Sequence, residues 1–125
     1  MQNQIQNQLQ QIVQMQQRMF QVQQQMQRQM DQNFANVHTT QRASEFNSIA
    51  RLQNSAAKHQ GSTLTALHDT FTNLVIPGFP QTCAALAALD EAQIDAILTA
   101  LGLDLLGTLA ERRSLLEFFI GVPDT

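Results

Sequence analysis

A chain of 125 residues has room for one compact domain, and only 82 residues remain for it if the first 43 stand apart as a rod. The formal charge of −3 is uneven: residues 1–73 carry five basic and three acidic side chains, and residues 74–125 carry two basic and seven acidic ones. This acidic C-terminal half repels phosphate backbones at long range. The one cysteine, Cys83, excludes an internal disulfide framework, and no run reaches the roughly 18 uninterrupted apolar residues of a membrane span.

Sixteen of the first 34 residues are glutamine. The apolar residues Ile5, Leu9, Ile12, Met15, Met19, Val22, Met26, Met30, Phe34 and Val37 fall among them at steps of three or four. Their mean step of about 3.56 lies between a heptad's 3.5 and a straight helix's 3.6. Neither Gly nor Pro occurs before Gly61, and Gln, Met, Leu and Arg are good helix formers. The spacing predicts one helix over 3–34, extending to about Phe46. A Gln-rich disordered tail is the rival reading, and the apolar spacing favours the helix over it. Such a stripe cannot be buried by one helix, so a partner helix is required. Its 3-3 step near Met15 and 4-4-4 run near Met30 resemble a stammer and a stutter. No Glu/Lys pairs flank the seam, and five methionines make it adaptable.

Residues 44–81 read as a linker with extended pieces. Leu64–Leu67 and Leu74–Ile76 are candidate short strands, and 47–54 is a candidate hairpin partner for one of them. Pro77-Gly78-Phe79-Pro80 closes the region.

Residues 82–125 are predicted to be helical with clear punctuation. Thr82 caps a short helix over 83–89. Asp90 with Gln93 forms a capping box for a helix from Glu91 to about Leu101, which Gly102 ends. Thr108 with Glu111 opens a third helix that Gly121 and Pro123 terminate. Ile94, Ile97, Leu98 and Leu101 are expected to face Leu109, Leu116, Phe119 and Ile120. The fold class expected is mainly α: a long Gln-rich coiled-coil-like helix (1–43), an extended or hairpin middle (44–81) and a three-helix C-terminal unit (82–125).

Residues 89–122 carry Leu101-Gly102-Leu103, Gly107, Arg112-Arg113 and Leu115-Leu116, and in these they resemble a SAP-type helix–loop–helix motif. SAP motifs commonly bind DNA through basic residues around the loop and second helix, so the resemblance implies nucleic-acid contact through Arg112 and Arg113. The loop Asp104-Leu105-Leu106-Gly107-Thr108 departs from the pattern, with an acid and two leucines where a DNA reader places Ser, Gly and Lys. A wider stretch, 47–121, includes Asn47, Ala50-Arg51, Asn54-Ser55, Ile76-Pro77-Gly78-Phe79-Pro80 and Thr82. It resembles a group of small uncharacterised fungal proteins that join a coiled-coil-like N-terminus to a SAP-like C-terminus.

Chemistry has little footing. His38, His59, His68 and Cys83 show none of the spacings that place two ligands on one metal. Ser55, His59 and Asp69 form a triad only on paper, and no phosphate-cradling loop is present. No catalytic residue, metal site or cofactor is therefore expected. The function expected is non-enzymatic self-assembly through Ile5, Leu9, Ile12, Met15, Met19, Val22, Met26 and Met30. A protein partner is placed at Leu105, Leu106 and Phe118 of the SAP-like unit. The alternative is a nuclear nucleic-acid-binding protein using Arg112 and Arg113. With no signal peptide or membrane span evident, the expected location is cytoplasmic, or nuclear under the alternative.

Overall fold

The computed structural model describes residues 2–123 and is mainly helical. Helix α1 spans Gln2–Asn54, α2 Cys83–Ala87, α3 Glu91–Ala100 and α4 Leu109–Ile120. The chain divides into two units, one ending at Asn36 and one starting at Val37. The first unit is helix alone, with every described side chain exposed.

The second unit begins within α1. Residues 47–54, expected as a candidate hairpin partner, are helix, and the last turns of α1 present Ala43, Asn47, Ala50 and Asn54 to the interior. Steps of four, three and four place these residues on one face. The alanines are small enough to let backbone approach. Leu67, Ile94, Ile97, Leu98, Leu116 and Ile120 fill the centre, each no more than 1% exposed. Ala57, Leu64, Ile76, Leu86, Leu89 and Leu101 complete the core around them.

The expected hairpin between 47–54 and an extended segment is corrected by a different pairing. Asn47 and Asn54 are helical, and their carboxamides stand in for a neighbouring strand. The Thr65 amide donates to Asn54 Oδ1 (2.6 Å) while Asn54 Nδ2 donates to the Thr65 carbonyl (3.0 Å). The His68 amide donates to Asn47 Oδ1 (2.6 Å) and Asn47 Nδ2 donates to the His68 carbonyl (2.9 Å). Seven helical residues rise about 10.5 Å, and three extended residues cover about 10 Å. The two spacings match, so the segment runs antiparallel to α1 with one amide clamp at each end. The amides and carbonyls of Thr65 and His68 are satisfied by side chains, and no sheet forms among the described residues. What remains of strand pairing is two isolated bridges, Thr63 with Thr82 and His68 with Val75.

The helix ends follow the sequence punctuation closely. Asp90 and Gln93 form a reciprocal capping box at 2.8 and 2.9 Å. Thr82 and Thr108 cap α2 and α4 through the amides of Ala85 and Glu111. α3 closes through Leu103 N–H to the Leu98 carbonyl and Gly102 N–H to that of Thr99; α4 closes the same way through Val122 and Gly121. Both are Schellman closures, with glycine at positive φ. Asp90→Ala removes the cap of the helix that carries Ile94, Ile97 and Leu98, and is expected to cost about 1 kcal/mol. A urea-unfolding midpoint identical to that of the unsubstituted chain would contradict this role for Asp90.

Candidate functional site

The first unit presents a long run of exposed apolar side chains. Ile5, Leu9, Ile12, Met15, Met19, Val22, Met26 and Met30 are each at least 50% exposed. Two further residues, Val13 and Phe20, are equally exposed and were not anticipated. They follow Ile12 and Met19 directly, so tracing a single path of three- and four-residue steps passes over them. The face is wider than one seam. Arg18, Arg28 and Asp31 are the only charged residues before Asn36, and the rest of the surface is mostly glutamine amide.

In the second unit, the three predicted contact residues are exposed: Leu105 46%, Leu106 73% and Phe118 80%. The adjacent aromatics Phe118 and Phe119 diverge as helical geometry requires. Phe119 packs against the core and lies under the Arg51 guanidinium, 5.0 Å from its ring centroid. Phe71, Leu74 and Val75 add exposed apolar side chains on the turn after His68. That turn is tied to the end of α3 by the Thr70 amide, which donates to the Ala100 carbonyl (2.9 Å). The Phe71 ring approaches Gly102.

The two arginines of the SAP-like pattern are held by the fold. Arg112, on α4, bridges Glu91 (2.7 Å) and Asp95 (2.5 Å) of α3. Hydrogen bonding to Glu91 first, then to Asp95, holds its guanidinium above the ordinary arginine value. Arg113 donates to the carbonyls of Leu86, Ala87 and Leu89, closing the end of α2. A phosphate would have to displace these acceptors. What read from sequence as a basic pair is a lock between α4 and the two helices before it.

The other candidate groups serve local structure. His68 stacks on Phe46 with ring centroids 3.6 Å apart, and its Nδ1 lies 3.0 Å from Asn73 Oδ1. Asp69 Oδ1 accepts from the amides of Phe71 and Thr72, which shapes the turn. The Ser55 hydroxyl donates to the Leu52 carbonyl, and the His59 amide donates to Ser62 Oγ. Cys83 is half-buried at the start of α2. Among the described residues, no three of His, Cys, Asp and Glu come together to hold a metal ion. No helix among them is long and apolar enough to cross a membrane. Comparison of the chain with protein-family models, curated proteins and solved structures gives no match.

Proposed function

We propose that this chain is a non-enzymatic self-assembling protein whose copies associate through the apolar stripe of the first unit and carry the second unit as a protein-contact domain. The observation that supports this reading is an uncapped apolar surface on an almost uncharged helix, with every seam residue from Ile5 to Met30 at least half exposed. Each such side chain contributes about 1.5–3 kcal/mol when fully buried, so a bundle of like helices gains what a single helix cannot. The near absence of charge removes the repulsion that would keep copies apart. A partner at Leu105, Leu106 and Phe118 would meet exposed apolar side chains there.

The test is particle mass by light scattering on the full chain. A discrete oligomer is expected for the natural sequence, and a 14.0 kDa monomer for Ile12→Asp combined with Met19→Asp. A carboxylate in a packed seam must be desolvated without a cationic partner, at a cost of several kcal/mol per chain. An oligomer mass unchanged by the double substitution would exclude this seam.

A further inference from the structure

The methionines of this chain are confined to one segment. All five lie at or before Met30, and no residue after it is a methionine. Met15, Met19, Met26 and Met30 stand at steps of four, seven and four. At about 100° per residue they fall within about 60° of one another around α1, so they form one ridge on its apolar face. Each is open to solvent, from 56% exposed at Met26 to 64% at Met30. Between Met15 and Met30 the only other large apolar residues are Phe20 and Val22, so this half of the stripe is mostly thioether. The rest of the chain offers an oxidant little. It has no Trp or Tyr, and its one thiol, Cys83, is half-buried at the start of α2.

Resting on the self-assembly reading above, we infer that this ridge is a modification site at which hydrogen peroxide converts Met15, Met19, Met26 and Met30 to sulfoxides and dissolves the assembly. In each step a sulfur lone pair attacks one peroxide oxygen. The S–O bond forms as the O–O bond breaks, and the departing hydroxide takes the proton left on the transferred oxygen and leaves as water. Sulfur loses two electrons and the peroxide gains them.

The product is a polar S–O group, an acceptor with no donor, where a seam needs an apolar and adaptable side chain. Burying it between helices costs desolvation, whereas on the separate helix the side chain already faces water. Peroxide therefore acts on the separated chain, whose thioethers are open, and withdraws that chain from the assembly by mass action. The change reverses: methionine sulfoxide reductases return the thioether, with two thiols supplying the electrons and the oxygen leaving as water.

The test is light scattering with mass spectrometry on the full chain before and after hydrogen peroxide. Dithiothreitol added after the peroxide undoes any Cys83 disulfide and leaves the sulfoxides in place. The natural chain is expected as an oligomer before peroxide and as a 14.0 kDa monomer after it, with the ridge oxidised and its helical circular dichroism unchanged. Methionine sulfoxide reductases with dithiothreitol are expected to restore the oligomer. A chain with Met15→Leu, Met19→Leu, Met26→Leu and Met30→Leu keeps bulk and helix propensity, so it is expected to assemble and to hold its mass in peroxide. A natural oligomer mass unchanged by peroxide overturns the inference, whether the four methionines resist oxidation or carry it, and leaves self-assembly standing. A leucine variant that peroxide dissociates equally overturns it too. A natural chain already monomeric before peroxide removes the self-assembly reading and this inference together.

Discussion

Asn54→Ala is expected to cost about 3–5 kcal/mol of unfolding free energy, enough to leave a domain of this size largely unfolded. The side chain is 1% exposed and serves three main-chain groups at once. It accepts from the Thr65 amide, donates to the Thr65 carbonyl, and donates to the Ile120 carbonyl at 3.1 Å. Alanine leaves all three without a partner, and each buried unsatisfied group costs about 1–3 kcal/mol. Some of that is recovered where water reaches the Thr65 groups, which are only partly buried. The comparison is with Asn33→Ala, an exposed position on the same helix. Urea unfolding followed by circular dichroism should show a large loss of midpoint for Asn54→Ala and almost none for Asn33→Ala. Equal midpoints would mean that the amide clamp contributes nothing.

Gly121→Ala is expected to cost about 2–4 kcal/mol, from two separable causes. Gly121 closes α4 at a φ of +97°, where an L side chain costs about 1–2 kcal/mol. Its α-carbon also sits against the α1 backbone, so an added Cβ would overlap the Arg51 carbonyl. Relieving that overlap means moving α4 away from α1, an overpacking cost of about 1–3 kcal/mol. Gly78→Ala isolates the first cause: its φ is +75° and nothing lies within 4 Å of the added atom. The difference between the two variants in chemical denaturation measures the contact between α4 and α1. Should the two variants lose equal stability, that close approach would have no energetic weight.

Both predictions concern the final turn of α1, where Arg51 and Asn54 receive the end of α4 and the start of the extended segment. Sequence reading placed this stretch outside the helix because it searched for apolar periodicity. The inner face is Ala43, Asn47, Ala50 and Asn54, half of it polar, and such a face carries no hydrophobic signature. A pattern of Asn and Ala recurring at steps of three and four was the available signal. It becomes meaningful only once an extended segment of the right length lies alongside. The same limit applies to Arg112 and Arg113. Two adjacent arginines on a helix look alike whether they face phosphate or protein, and only the packing of α4 supplied Glu91, Asp95 and the end of α2 as their acceptors.

Local chemistry alone determined that the helices form and where α3 and α4 begin and end. The glutamine-rich stretch without Gly or Pro, the capping box at Asp90, the N-cap at Thr108, and the glycines at 102 and 121 act within a few residues of themselves. The exposed stripe of the first unit was legible for the same reason, since helical spacing is a property of the chain and not of its neighbours. Tertiary structure alone decided where α1 stops, why the middle forms no sheet, and which groups Arg112 and Arg113 bind. Those outcomes depend on groups distant in sequence: a side-chain amide reaching a backbone 11 or 21 residues away, and a glycine 70 residues downstream of the carbonyl it must clear. Periodicity records what one element presents, and only packing determines what it meets.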